Sequence, residues 1–231
     1  METDSEADDF FQRWFNHLYQ IRRDLRTARY SLGDRQKVQS AVDQSIAHYE
    51  SYYRVRSEIS QFDPVRAFTT PWATSVERGV VFWLAGWRPN TLVHLLYSES
   101  SRRFESQLQD LLSGTGSGDL GDLSPTQLKL VDELQRRTIQ EEDELELEMS
   151  RLHEDLATRF IETGSAELGD APGRIKDIIA RADDLRMRTL HAALKVLCRP
   201  IQAVDLLIAA ADFEIGIRNF GLKHENEMGG T

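Results

Sequence analysis

The stretch PWATSVERGVVFWLAGWRPNTLVHLLY, from Pro71 to Tyr97, decides the fold. Three of the chain's four tryptophans lie in it, Trp72, Trp83 and Trp87, together with Phe82 and Tyr97. It is apolar, bounded by Pro71 and Pro89, and holds a lone Arg88 between Trp87 and Pro89. Rings of this size bury too much area for a surface loop, so the segment reads as the knot of a helical core or the wall of a pocket. Thr74 and Glu77 have the spacing of a capping box, which predicts a helix from Thr74 to about Gly86. Pro89 suits the first turn of the next helix, where its missing N–H costs nothing. That helix is predicted to carry Leu92, Leu95, Leu96, Phe104, Leu108, Leu111 and Leu112, and to stop at Gly114.

Upstream, Phe11, Trp14, Phe15, Leu18, Ile21 and Leu25 recur at three- and four-residue spacing, predicting a helix from about Asp8 to Tyr30. A second helix begins near Asp34 and stops before Pro64. Downstream, Ser124-Pro125-Thr126-Gln127 is another capping box, with proline at the first helical position. The helix it opens runs unbroken to about Thr158, roughly 50 Å at 1.5 Å per residue. Further helices are predicted over about Arg174–Leu197 and Pro200–Phe220, with Gly221 as the stop. The glycine-rich stretch Gly114–Gly121 reads as a flexible linker, and Thr163–Gly173 as a second loop. The expectation is an all-α, single-domain bundle of about seven helices, with one long helix near 125–158. Residues 1–9 read as a disordered N-terminus, 10–222 as the domain and 223–231 as a disordered tail.

With 231 residues, 40% hydrophobic and 29% charged, the chain has the balance of a folded domain. Its net charge of -10 argues against a surface built to grip phosphates, so direct nucleic-acid binding is not expected. No apolar run approaches the ~20 residues that span a bilayer, and no membrane association is expected. The acidic start, Met-Glu-Thr-Asp-Ser-Glu, lacks the basic and apolar parts of a secretory signal. Cys198 is the single cysteine, so no internal disulfide forms, which fits the nucleus or cytoplasm. Its place at a helix end in an apolar run makes it read as a small hydrophobe.

Several blocks resemble the plant Delay-of-Germination family, a seed-dormancy family whose domain also follows the basic zipper of TGA transcription factors. They are His48-Tyr49-Glu50-Ser51-Tyr52-Tyr53, Trp83-Leu84-Ala85-Gly86-Trp87-Arg88-Pro89, Arg181-Ala182-Asp183-Asp184-Leu185-Arg186 and Pro200-Ile201-Gln202-Ala203-Val204-Asp205-Leu206-Leu207. They lie in family order from about Phe10 to Gly221, with no basic zipper before Phe10, so the chain resembles the stand-alone branch. The resemblance implies an all-α, non-enzymatic regulator linked to seed dormancy, abscisic acid signalling and transcription. It also implies protein partners such as type 2C phosphatases or TGA-type factors. Some members of the family bind haem through two histidines four apart on the last helix. Glu214 and Arg218 occupy those positions here, so no haem is expected by that route and no cofactor is predicted.

A catalytic or metal reading finds little in the residues themselves. No two of the six histidines are four apart, and there is no His-Glu-x-x-His motif. The acidic run Glu141–Glu148 reads as a solvated helix face, with Leu145, Met149, Leu152 and Leu156 turned inward. Arg22, Arg26 and Arg29 share a helix face and form a basic patch. Arg88 reads as a structural ion-pair partner of Glu77 or Asp205, since a buried carboxylate needs a cation. The leading functional reading is a regulatory protein-interaction module. One alternative is a helical receptor for an apolar small molecule such as a fatty acid. Its pocket would be lined by Trp72, Phe82, Trp83, Trp87 and Tyr97, with Arg88 or His94 meeting a polar head. A second alternative is a sequence-specific DNA-binding regulator. The surface of the long helix leaves room for a homodimer.

Overall fold

Phe11, Trp14, Phe15, Leu18, Ile21 and Leu25 are all buried, and the face they form is the spine of the largest core cluster. The structure is a computed structural model and describes residues 2–31, 33–113, 115, 117–164 and 168–229. Those residues form eight α-helices: α1 (Glu2–Arg29), α2 (Arg35–Phe62), α3 (Pro64–Thr69), α4 (Asn90–Ser106), α5 (Leu108–Leu112), α6 (Pro125–Thr163), α7 (Ala171–Val196) and α8 (Pro200–Gly229). The architecture is all-α, as expected. α1 packs on α2 and α8, and α6 lies along α7. Val93, Leu96, Val131, Leu197 and Leu206 close a second cluster between α4, α6, the end of α7 and α8.

α6 has 39 residues, which makes it about 58 Å long. It opens on the expected capping box: Ser124 Oγ accepts from Gln127 N–H, and Gln127 Oε1 accepts from Ser124 N–H. Leu145, Met149 and Leu152 face inward against α7. The acidic run is not wholly solvated, however. Glu142 is fully buried, and Glu141 and Glu148 pair with Arg188 and Arg181 of α7.

The helix expected from Thr74 to Gly86 does not form. Its capping box is present, with Glu77 Oε2 2.7 Å from Thr74 N–H, but it opens only a π-helical turn over Glu77–Val81. The chain then makes a hairpin of β1 (Phe82–Trp83) and β2 (Gly86–Trp87), with Phe82 opposite Trp87 and Trp83 opposite Gly86. Gly79, Val80 and Val81 weaken helix propagation. Leu84 (φ 45°) and Ala85 (φ 65°) sit in the left-handed region that a two-residue hairpin turn requires. Neither is glycine, so each residue costs roughly 1–2 kcal/mol of backbone strain.

The helix expected to continue to Leu112 breaks at Gln107, which raises the helix count above seven. Gln107 Nε2 donates to Asp119 at 3.0 Å and Gln107 Oε1 accepts from Ser117, drawing the glycine-rich stretch back onto the body. Gly114 and Gly116 lie outside the described residues. The end of that stretch is not a free linker, because Asp119 and Leu120 are buried. Residues 165–167 of the second loop also lie outside the described residues.

Residues 2–9 and 223–229, read from sequence as disordered ends, are helical in the structure. Met1 and residues 230 and 231 lie outside the described residues. Asp8 pairs with Arg66 at 2.9 Å, and Glu225 accepts from Ser75 N–H at 2.6 Å, so both ends are tied to the body. Gly221 is not a stop, since α8 runs through it to Gly229. It is a point of close approach instead: a Cβ there would fall 2.2 Å from Thr74 Oγ1. Gly221→Ala is expected to destabilise the fold by roughly 1–3 kcal/mol through overpacking. Urea denaturation checks this, and recovery in the Thr74→Ser/Gly221→Ala double variant is not expected, because the hydroxyl itself is the obstacle.

Candidate functional site

Trp87 and Arg88 are brought by the hairpin to a small cavity of about 80 Å³. Its other walls come from α2 (Tyr49, Tyr53), α4 (Leu92, Leu95), α7 (Arg186, Leu190) and α8 (Phe213, Glu214). Trp87 packs on Phe213 with ring centroids 5.0 Å apart. The buried Tyr49 hydroxyl faces the Glu214 carboxyl within hydrogen-bonding reach. Burial pushes the Glu214 carboxyl up to about 8, and the charge of Glu77 adds to the rise. At neutral pH this carboxyl is therefore mostly protonated. The volume is several times the ~10–15 Å³ that one water occupies, so the cavity accepts a few waters or one small group.

The other residues read as pocket walls go elsewhere. Trp72 stacks on Phe11 at 3.9 Å and donates Nε1–H to the Tyr52 hydroxyl at 3.0 Å, so it belongs to the main core. Trp83 donates Nε1–H to Glu146 at 2.7 Å and lies outside the cavity. Phe82 contacts Trp87 edge-on at 6.0 Å. His94 is exposed, 3.0 Å from Asn90 Nδ2, and Tyr97 donates its hydroxyl to Asp132. A stretch of sequence this rich in rings cannot place them all on one wall once it turns through a hairpin. Tyr49, Tyr53 and Phe213 were missed because their spacing reads as ordinary helical core.

Arg88 does not pair with Glu77 or Asp205. Its Nε lies 2.7 Å from Glu142 and its Nη1 2.9 Å from Glu146. Glu142 also accepts from Asn90 N–H at 2.6 Å, so one buried carboxylate from α6 caps the start of α4 and holds the arginine before it. Glu77 pairs with Arg218 at 3.2 Å. Asp205, buried, is held by Arg29 at 2.6 Å and Arg103 at 3.1 Å. The basic patch of α1 is accordingly not a free face: Arg22 and Arg26 meet Asp212 of α8, while Arg29 reaches Asp205 and Asp119.

Beneath the hairpin lies a buried arginine clamp. Arg56 Nε donates to Asp183 at 3.0 Å and its Nη1 to Ala85 O. Arg186 donates to Asp183 at 2.6 Å, to Trp87 O at 2.6 Å, to Leu84 O at 3.0 Å and to Trp83 O. The two guanidiniums satisfy carbonyls that the strained turn presents inward. Gly86 is needed here, since a Cβ would lie 3.0 Å from both arginine side chains.

These groups bind and brace. Among the described residues no group of three or more His, Cys, Asp or Glu is placed to hold a metal ion, and no helix is long and apolar enough to cross a membrane. A family model described as "DOG1: Seed dormancy control" matches residues 17–98, which hold the second half of α1, all of α2 and α3, the hairpin and half of α4. Over that third of the chain the sequence is similar to the DOG1 family. Likeness to relatives runs well past the matched residues. Protein DOG1-like 3 of Arabidopsis thaliana is 25% identical over 214 residues, covering 84% of this chain and 75% of that protein. Protein DOG1-like 2 of the same plant is 26% identical over 84% of this chain and 81% of its own length. Transcription factor TGA2 of Arabidopsis thaliana is 26% identical over 87% of this chain but only 59% of TGA2. A regulatory role in plants is what these DOG1 and TGA relatives support.

Glu214→Gln gives a test of the cavity's electrostatics. A carboxyl raised from 4.5 to about 8 on folding stabilises the fold fully below pH 4.5 and loses that contribution as pH rises through 8. Relative to the parent, the glutamine variant is expected to gain roughly 3 kcal/mol at pH 7 and almost nothing at pH 4. Denaturation at both pH values checks this; an equal change at each would contradict it.

Proposed function

We propose that this chain is a non-enzymatic protein-interaction module of plant signalling, linked to seed dormancy, abscisic acid and transcription. It acts through the outside of its helices, in the nucleus and cytoplasm. The observation that carries the reading is where the charged chemistry goes. Arg56, Glu77, Arg88, Glu142, Asp183, Asp205 and Arg218 are each engaged in ion pairs that join separate elements, and Arg186 ties α7 to the hairpin through backbone carbonyls. The functional surface is then the exterior, and the unit shared with DOG1-like proteins and TGA factors is the helical body itself. Partners of the kinds already named, type 2C phosphatases and TGA-type factors, are the first to test, together with a second copy of the chain. Capture of purified members of either class by the full chain is expected. Absence of any stable complex at micromolar concentration would overturn the reading. A mobility shift on duplex DNA at physiological salt is not expected for a chain of net charge -10.

The cavity favours a second reading. A Tyr49 hydroxyl and a protonated Glu214 carboxyl facing each other within aromatic walls suit a small, largely apolar, uncharged molecule. Native mass spectrometry of the purified chain tests it; a mass equal to the bare polypeptide under non-denaturing conditions counts against it.

Haem does not fit the positions that paired histidines occupy in haem-binding members. Arg218 is committed to Glu77 and lies 3.5 Å over the Phe15 ring, and Glu214 faces the cavity as a protonated carboxyl. Neither supplies the imidazole such iron sites use. Titration with haem is expected to give no sharp six-coordinate Soret band.

A further inference from the structure

At the end of the bundle where the start of α1 meets the end of α2, an open groove of about 500 Å³ is lined by Phe10, Val55, Ile59 and Phe62. Phe62 is 91% exposed, the most exposed large hydrophobic side chain among the described residues. A helix-end phenylalanine standing free beside three other apolar side chains is a poor arrangement for a surface that meets only water. The rim is acidic: Glu6, Glu58 and Asp63 line it, and the one cation in the lining, Arg66, is bound by Asp8 at 2.9 Å. The floor is apolar and the wall carries three carboxylates against one guanidinium.

We infer that this groove is a docking site for a basic amphipathic helix of a partner protein. The inference rests on the interaction-module reading and names one surface for it. Two antiparallel helices leave between them a trough that a third helix fills, with apolar anchors about one turn apart. The anchors cover Phe62 and Ile59. Flanking lysines or arginines meet Glu6 and Glu58, and the acidic rim rejects anionic segments.

The probe is a fluorescein-labelled Leu/Lys peptide of about 14 residues with its leucines on one helical face, and a scramble of equal composition with the leucines spread around the axis. Anisotropy with the full chain at physiological salt is expected to show binding of the first and at least about tenfold weaker binding of the second. Phe62→Ser and Glu58→Lys are each expected to weaken the first peptide about tenfold, whereas Glu144→Lys on the exposed face of α6 leaves it unchanged. Both groove positions are exposed, so the variants should melt like the parent. Equal binding of the two peptides, or binding indifferent to Phe62→Ser, overturns the inference. Self-association abolished by Phe62→Ser in sedimentation would give the groove to a second copy and overturn it too. Partner capture separates the two levels. A phosphatase or TGA factor held equally by parent and Phe62→Ser removes the groove and leaves the module reading standing. No capture by either removes the module reading, while the peptide titration still decides the groove.

Discussion

Asp183→Ala is expected to lower the unfolding free energy by about 3–5 kcal/mol, the cost of leaving a buried charge without its partner. Asp183 is the carboxylate shared by Arg56, which is fully buried, and Arg186, which is nearly so. Burial and the neighbouring Arg186 already depress Arg56 to about 10, so the pair of cations is held together against its own repulsion. With the carboxylate gone, both remain charged at neutral pH and share only backbone carbonyls. For a domain whose whole stability is about 5–15 kcal/mol, this is a large fraction. The melting temperature is expected to fall by roughly 10 °C at this chain length. A drop of less than about 1 kcal/mol in urea denaturation would show that the carbonyls alone suffice. Replacing all three charged residues by apolar ones of similar volume is not expected to recover the loss, because it removes the orphaned cations but also strips the hairpin carbonyls of their donors.

Acid is expected to unfold the chain in part through His48. This ring is buried, stacks on Trp14 at 4.2 Å and meets His17 edge-on at 5.0 Å, with its Nε2 unpartnered. Burial, and then the proximity of His17, lower it from 6.5 to about 3. A neutral folded imidazole that protonates on unfolding stabilises the fold above pH 6.5 and loses that contribution as pH falls toward 3. The loss is about 2 kcal/mol at pH 5 and about 4–5 kcal/mol by pH 3. Between pH 4.5 and 6.5 Glu214 works in the opposite sense, so the net curve is shallow there and steepens below. His48→Phe keeps a ring against Trp14 and removes the titration. Its stability relative to the parent is expected to improve steadily as pH falls from 6.5. A pH-independent difference between the two would rule out His48 as the acid-sensitive group.

What could be read from the residues alone was whatever depends on near neighbours in the chain. The α1 stripe and the Ser124–Gln127 box need only three- and four-residue spacing, and both are present. The Thr74–Glu77 box also formed, yet it opened a hairpin, because the Leu84–Ala85 turn carries none of the Gly or Asn that marks such a bend. Partners of charges were the least legible. Arg88 finds Glu142 54 positions away, inside an acidic run whose composition reads as solvated, and Asp205 takes cations from both α1 and α4. Of the cavity, Trp87 and Arg88 were in view. Glu214 was noted only as the occupant of a family position, and its walls from α2 and α8 depend on how helices meet.

The two-residue bend at Leu84–Ala85 sets a limit on how the polypeptide can be divided. Its backbone oxygens are held from α2 on one side and from α7, a hundred positions later, on the other. A fragment ending at residue 98 would keep the bend and Arg56 but lack Asp183 and Arg186. It would carry an unneutralised guanidinium and bare peptide oxygens with nothing to quench them. The matched third of the chain is thus a recognisable signature, not an autonomous piece, and grafting or trimming has to respect the whole body.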